Sequence, residues 1–330
     1  MRETPNLSAY KLYKLRERKR NTRALSEITH GDINIQTRIF ALSSENGIIA
    51  FGSNESENIS SYIEATDAPI SDIIWISPHQ LVFSSFPTGM CIYDVLAQNI
   101  SLRIGDPVRC ISHTKYPGIV TGDHDGYVRL WDIRMPTYHT QFQTGGVVTA
   151  LAFNGKPNLY AATTPGCTIL TWDLRYTQSR TEKPSPISRA AATSLVIGSH
   201  SLVALDTTGM LHKVDGEGQP IMKTRVGPEY QCNVGDIKHD TINGMLITSF
   251  YNQLTIVDEL TFSRGDKAIV EGISGILSTS RIKDLSTDYR NCYNRYTNID
   301  QSINTFTNTG TVITHNLEKD SGFINKSIFY

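Results

Sequence analysis

Long apolar runs are missing from this 330-residue sequence: no stretch approaches the ~18 apolar residues needed to span a bilayer, and the first residues lack the apolar core of a secretory signal. An excess of one charge is missing too. The formal net charge is -1, which removes any electrostatic reason to expect nucleic acid or an acidic membrane as the main ligand. Cysteine is sparse: Cys91, Cys110, Cys167, Cys232 and Cys292 are five in number, scattered, and never spaced as Cys-x-x-Cys. Such thiols are expected to stay reduced and to pack as small apolar groups in a reducing compartment, the cytoplasm or the nucleus. No nucleophile elbow, zinc-protease helix motif, phosphate-binding Walker loop or deaminase signature occurs. The chain is accordingly expected not to be an enzyme and to need no cofactor or metal. An active site assembled from distant loops, a propeller-type hydrolase centred on a channel, is the remaining catalytic alternative.

What is present is a globular composition, 39% apolar and 19% charged, long enough for a large core. Helical periodicity nearly vanishes after residue 30. Short runs of Val, Ile, Tyr, Phe and Thr instead alternate with Gly, Pro, Asn and Asp clusters, the signature of an all-β protein. The runs repeat. The clearest unit is DPVRCISHTKYPGIVTGDHDGYVRLWDIRMP at 106–136, followed by GGVVTALAFNGKPNLYAATTPGCTILTWDLRYT at 145–177. An aromatic or apolar residue followed by Asp or Asn marks units at Tyr93-Asp94, Trp131-Asp132, Trp172-Asp173, Val214-Asp215, Val257-Asp258 and His315-Asn316, in steps of 38, 41, 42, 43 and 58 residues. A weaker mark, Tyr62-Ile63, brings the count to seven. A period near 40 with four short strands is what a propeller blade requires, because one small sheet cannot bury both faces until neighbours stack on it.

The segments TGDHDGYVRLWDIR at 121–134 and TWDLR at 171–175 resemble the closing half of a WD repeat. The resemblance implies a seven-bladed β-propeller over residues 31–330, preceded by an extension over 1–30. It also implies a buried hydrogen-bonded tetrad, which would use Trp131, Thr121 and Asp125. The family's Gly-His pair is replaced by Gly105-Asp106, and Gly166 stands where the second unit should have its turn Asp, so the blades are expected to rely on apolar packing. The last, longer step places a polar, tyrosine-rich surplus within 283–302. Ring closure is expected from Ile33–Gln36 or from Phe323–Tyr330.

Four features bear on partners. Trp131-Asp132-Ile133-Arg134 and Trp172-Asp173-Leu174-Arg175 share the form WDxR, which places Arg134 and Arg175 at strand ends as paired cations for an acidic partner. The form resembles the WDxR boxes of substrate receptors that dock on the adaptor of cullin-RING ubiquitin ligases; strand capping is the plainer reading. Ser8–Ile28 spaces Leu12, Leu15, Leu25 and Ile28 as on an amphipathic helix, with Lys14, Arg16, Arg18, Lys19 and Arg20 as a basic face. Seven Lys or Arg and one Glu in Tyr10–Arg23 leave 24 basic and 31 acidic residues elsewhere, a basic head before an acidic body. This head reads as a docking helix, an import or nucleic-acid patch, or a solvated tail. Tyr289, Arg290, Tyr293, Arg295 and Tyr296 are of residue types enriched at binding hot spots. Asp123-His124-Asp125-Gly126 and Gly216-Glu217-Gly218 read as tight turns rather than metal or phosphate loops. The sum is an interaction scaffold: a ligase substrate receptor, or a structural subunit of a chromatin, RNA-processing, nuclear-pore or trafficking assembly.

Overall fold

The computed structural model describes residues 10–18, 28–34, 36–53, 59–85, 88–113, 118–135, 137–153, 158–174, 185–199, 201–215, 219–228, 235–240, 244–251, 253–269, 273–281, 301–307 and 312–319, with side chains only between 28 and 267. Among these residues every regular element is a strand. The first, β1 (Tyr10–Arg18), belongs to a sheet completed by the chain's last strands. Blade 1 follows as β2 (Ile28–Ile33), β3 (Ile39–Ser44), β4 (Ile48–Ser53) and β5 (Ile59–Glu64), and blade 2 as β6 (Ile70–Trp75), β7 (Gln80–Ser85), β8 (Gly89–Asp94) and β9 (Asn99–Ile104). Blade 3 is β10 (Cys110–His113), β11 (Gly118–Gly122), β12 (Tyr127–Asp132) and β13 (Tyr138–Gln143); blade 4 is β14 (Val148–Phe153), β15 (Asn158–Thr163), β16 (Cys167–Asp173) and β17 (Ser185–Ser188). Blade 5 is β18 (Ala192–Ile197), β19 (Leu202–Asp206), β20 (Met210–Val214) and β21 (Pro220–Arg225); blade 6 is β22 (Gly235–Asp240), β23 (Met245–Phe250), β24 (Gln253–Asp258) and β25 (Arg264–Ile269). The strands β26 (Ile273–Arg281), β27 (Gln301–Thr307) and β28 (Val312–Lys319) join β1 in the order β1-β28-β27-β26.

The molecule is thus a β-propeller of small antiparallel four-stranded sheets. Each innermost strand lies beside the next, from β2 through β6, β10, β14 and β18 to β22, and β26 lies against both β22 and β2. Six blades are described with their side chains, where the spacing led us to expect seven; the sheet made by the chain's two ends is described by backbone pairing alone.

The core lies between blades. Ala41, Ile49 and Phe51 of blade 1 pack with Ile73, Trp75, Leu81, Phe83 and Tyr93 of blade 2, and the Phe51 ring stacks on Tyr93 at 5.9 Å between centroids. Phe142 of blade 3 stacks on Trp172 of blade 4 at 5.2 Å. Side chains alternate along a strand, so each sheet offers one apolar face to either neighbour. This is why second strands such as Leu202–Asp206 of blade 5 and Met245–Phe250 of blade 6 are buried at every position. Cys91, Cys110 and Cys167 are free, buried thiols, as expected. Burial pushes all three up, Cys167 to about 12, so they remain protonated and inert. Cys232 and Cys292 lie outside the described residues.

Two local devices recur. The turn between the second and third strands carries a glycine at φ +76° (Gly47), +89° (Gly89), +81° (Gly126), +74° (Gly166) and +74° (Gly209). A side chain there would be strained and, at Gly47, would also collide with the Thr66 carbonyl oxygen. The innermost strand bulges near its start in blades 1, 2, 4 and 5, and the extra residue is Thr29, Ser71, Thr149 or Thr193, a hydroxyl each time.

Three expectations need correction. Tyr10–Arg18 is not helical: β1 pairs antiparallel with β28, Leu12 opposite Leu317 and Arg18 opposite Val312. The closing strand is therefore β1, because Ile33 already ends the innermost strand of blade 1; Phe323–Tyr330 lies outside the described residues. Tyr62-Ile63 falls on the fourth strand of blade 1, whose third strand ends at Ser53, whereas the other six marks lie at the ends of, or within, third strands. The surplus at 283–302 falls between β26 and β27, mostly outside the described residues. Deleting residues 1–18 strips β28 of its outer partner. A fall of at least about 5 °C in melting midpoint is expected by circular dichroism, and an unchanged midpoint would mean that β1 is dispensable.

Candidate functional site

Blade 3 tests the tetrad directly. The Trp131 indole Nε1 donates to Thr121 Oγ1 at 2.8 Å, and both residues are buried, so this pair forms as expected. Asp125 does not join it: it is exposed. The buried turn carboxylate is Asp123, two residues earlier. Its Oδ1 accepts the Tyr127 N–H at 2.7 Å, its Oδ2 pairs with the Arg129 guanidinium, and its main-chain carbonyl accepts the Val148 N–H of blade 4 at 3.0 Å. Arg129 also lies 5.0 Å from the Tyr127 ring centroid and 5.5 Å from that of Tyr138, so its charge is enclosed.

Blade 5 repeats the arrangement. Asp206 Oδ1 accepts the Met210 N–H at 3.1 Å, and its Oδ2 meets His212 Nε2 at 2.9 Å. In both blades the acid stands three residues before the positive-φ glycine and its partner three residues after it. The pattern Asp-x-x-Gly-x-x-Arg/His was present in the sequence and would have identified Asp123 in place of Asp125. Burial pushes the Asp206 carboxyl up, but hydrogen bonds from His212, Thr208, Ser188 and the Met210 amide outweigh it and hold the group at about 2.

The WDxR pair is described only in part. Arg134 Nε donates to Asp132 Oδ1 at 2.8 Å within its own turn, and the Arg134 N–H reaches the same oxygen at 3.0 Å. These bonds from Arg134 hold the Asp132 carboxyl at about 2. Arg134 is 69% exposed, so it closes the strand end yet keeps a face to solvent. Arg175 lies outside the described residues, as do Lys19, Arg20, Tyr289, Arg290, Tyr293, Arg295, Tyr296 and Gly216-Glu217-Gly218. Leu12, Lys14, Leu15, Arg16 and Arg18 are placed by backbone alone, in β1.

The innermost strands hold a polar cluster that the sequence did not single out. Asp32 of β2 accepts the Trp75 N–H of blade 2 at 2.8 Å, and Asp72 of β6 accepts the Ile111 N–H of blade 3 at 2.7 Å. Asp236 of β22 accepts the Ile237 N–H at 2.8 Å and the Ser194 hydroxyl of β18 at 3.2 Å. Burial pushes the Asp32 and Asp72 carboxyls up, opposed by Lys238 and, for Asp72, by His30. Lys238 is itself raised, by Asp236 first and by Asp32 and Asp72, against its own burial. Charges from β2, β6 and β22 thus act on one another across the ring. A cavity of about 490 Å³ opens between Ser112, Ala152, Phe153, Val196, Ile197 and His239, with His239 Nε2 held 2.9 Å from Glu259 Oε2. The signal for the cluster was faint: an acidic residue inside an apolar run, as in Ile70-Ser71-Asp72-Ile73. Among the described residues no three of His, Cys, Asp or Glu are grouped as metal ligands.

No protein-family model and no curated protein matches the chain. The fold and the geometry therefore carry the functional argument by themselves.

Asp206 supplies a pH test. Its folded value of about 2 lies below the ordinary 3.8, so the stability it contributes is present above pH 3.8 and is lost as the pH falls towards 2. The stability gap between wild type and Asp206→Asn, from urea unfolding, is expected to narrow by about 1 kcal/mol between pH 6 and pH 3. A gap that does not change with pH would contradict this.

Proposed function

We propose that the chain is a non-catalytic, seven-bladed propeller of the WD-repeat type that holds other proteins together in an intracellular multi-subunit complex, in the cytoplasm, the nucleus or both. The observation that carries this reading is the use to which the inner-strand charges are put. Asp32 and Asp72, the groups best placed for chemistry in a channel, are spent on main-chain N–H groups of the next blade. What remains for function is a ring of turns on a rigid frame, and such turns are where propellers and other scaffolds bind. The Trp131–Thr121 bond and the turn glycines support the WD reading, and the pairing of β1, β28, β27 and β26 supports a count of seven blades.

A second reading, a channel hydrolase, draws on the same cluster, because buried carboxylates with raised pKa values beside a lysine are a frequent catalytic arrangement. Both Asp72 oxygens already accept main-chain N–H groups, however, and Asp32 accepts the Trp75 N–H, so these carboxylates are engaged in joining blades. The binding reading is therefore preferred.

Within it, the finer possibility is a substrate receptor of a cullin-RING ligase, in which Arg134 and Arg175 contact the adaptor. The alternative is a structural subunit of a chromatin, RNA-processing, nuclear-pore or trafficking assembly, anchored by the basic residues Lys14–Arg20. Gentle, low-salt purification of the intact protein from its own cells, followed by identification of what accompanies it, tests both. A scaffold is expected to bring stoichiometric partners, and a monomer without partners would contradict the proposal. If a cullin adaptor is among them, Arg134→Ala with Arg175→Ala should reduce its recovery at least about tenfold without changing the fold. Unchanged recovery would leave the scaffold and remove the ligase role.

A further inference from the structure

A cavity of about 570 Å³ opens where blade 4 meets blade 5, on the side of the ring that carries the turns between second and third strands. Its wall is built from the end of β17 (Ser188, with Arg189 following), the β19–β20 turn, and one face of β20 and β21. In the β20–β21 pairing His212 is opposite Lys223, and Met210 is opposite Arg225. Lys223 and Arg225, two residues apart on a strand, therefore share a face with His212. Arg225 is fixed: its Nη1 donates to the Thr208 carbonyl at 2.9 Å, which orients the guanidinium at the cavity. Arg189 and Lys223 are exposed, and among the described residues neither has an acidic partner.

The one carboxylate in the wall does not neutralise these cations, because its oxygens are occupied. Asp206 Oδ1 accepts the Thr208 N–H at 2.9 Å, the Thr208 hydroxyl at 2.6 Å and the Met210 N–H at 3.1 Å. Its Oδ2 accepts the Ser188 hydroxyl at 2.8 Å and lies 2.9 Å from His212 Nε2. Arg189, Lys223 and Arg225 against Asp206 leave an excess of two positive charges, His212 aside. A carboxylate ligand would match only half of that excess. A phosphomonoester, with a charge of roughly -1.5 to -2 and three acceptor oxygens, matches it fully and suits two guanidinium forks beside an ammonium.

The surroundings point to a peptide. The strand β21 is the last of its sheet, so its outer edge has no strand partner among the described residues, and an extended segment can pair with it. Ile221, 55% exposed, continues the face of Lys223 and Arg225 along that edge and offers an apolar contact beside the charged one. The net charge of -1 gives no general attraction to an anionic bilayer. We propose that the Arg189–Lys223–Arg225 cavity binds a phosphorylated serine or threonine of a partner protein, whose chain lies along the open edge of β21 with an apolar residue against Ile221. This deepens the scaffold reading and rests on it, since it makes the recruitment of one partner depend on phosphorylation.

The test uses the intact protein, immobilised, and a degenerate peptide library centred on phosphoserine, with matched libraries centred on serine and on glutamate. Retention of the phosphoserine library is expected to exceed that of the serine library at least about tenfold, with glutamate in between. Arg189→Glu with Lys223→Glu should abolish that preference while leaving the circular dichroism spectrum and melting midpoint unchanged. Equal retention of the serine and phosphoserine libraries would overturn the proposal, as would a double variant that still prefers phosphoserine. Binding to phosphatidylcholine vesicles doped with phosphatidylinositol phosphates, without binding to the peptides, would overturn it by assigning the cavity to a membrane. Partners that co-purify equally before and after phosphatase treatment, together with a failed library test, would leave the scaffold intact and remove only this site.

Discussion

Blade-to-blade hydrogen bonding at the innermost strands is the contact on which the ring depends. A propeller sheet cannot bury its faces alone, so each must be aligned on its neighbour where the strands crowd most. Thr29 and Ser71, the hydroxyls at the bulges of blades 1 and 2, donate to the carbonyls of Ile70 in blade 2 at 2.9 Å and of Val108, just before blade 3, at 3.0 Å. Asp32 and Asp72 accept N–H groups from those same blades, and the Asn34 amide donates to the Ser77 carbonyl at 2.8 Å. Donors and acceptors are therefore exchanged in both directions across the first two interfaces. Each bond to a charged partner is worth about 1.5–3 kcal/mol, and losing one would strand a buried amide.

The bulge hydroxyls of blades 4 and 5 are used differently. Thr149 and Thr193 occupy the same bulge position but bond within their own blades, to the carbonyls of Ala162 and Leu205. Apolar packing spans these interfaces, Phe142 on Trp172 between blades 3 and 4 and Ala162 and Ile169 against Leu195, Leu202 and Ala204 between blades 4 and 5, and between blades 5 and 6 a carboxylate returns, with Asp236 accepting the Ser194 hydroxyl. Where carboxylates do the stitching, burial pushes them up, and Lys238 reaches them across the ring as the counter-charge. Asp32, Asp72 and Asp236 thus lie where blade 1 meets blade 2, blade 2 meets blade 3 and blade 5 meets blade 6. A similar arrangement operates at the turns, where Asp123 pairs with Arg129 and Asp206 with His212, each tying the turn to the following strand.

How much of this could be read from the sequence follows from which signals are local. The repeat period, the strands of 106–136 and the Trp131–Thr121 pair depend on alternation and turn residues within one blade, and they were legible. The carboxylate of the turn was misplaced because Asp123 and Asp125 are both plausible by spacing, and only burial separates them. The strand β1 looked helical because Leu12 and Leu15 are three apart. The bulge between Lys14 and Arg16 shifts the pairing by one residue and breaks the alternation that would have marked a strand. Closure by residues from the far end of the chain is a long-range event with no local signature. The inner-strand cluster and the cavity lined by Arg189, Lys223 and Arg225 likewise combine residues from separate blades or strands, which no linear spacing records.

The stitching can be measured where it acts. Native-state hydrogen exchange should place the Trp75 and Ile111 amides among the slowest in the protein, opening only with global unfolding. In Asp32→Ala the Trp75 amide should exchange at least about tenfold faster while Ile111 stays protected. Exchange of both amides at the rate of exposed turns in the wild type, or no change at Trp75 in the variant, would contradict the view that inner-strand carboxylates hold the ring together.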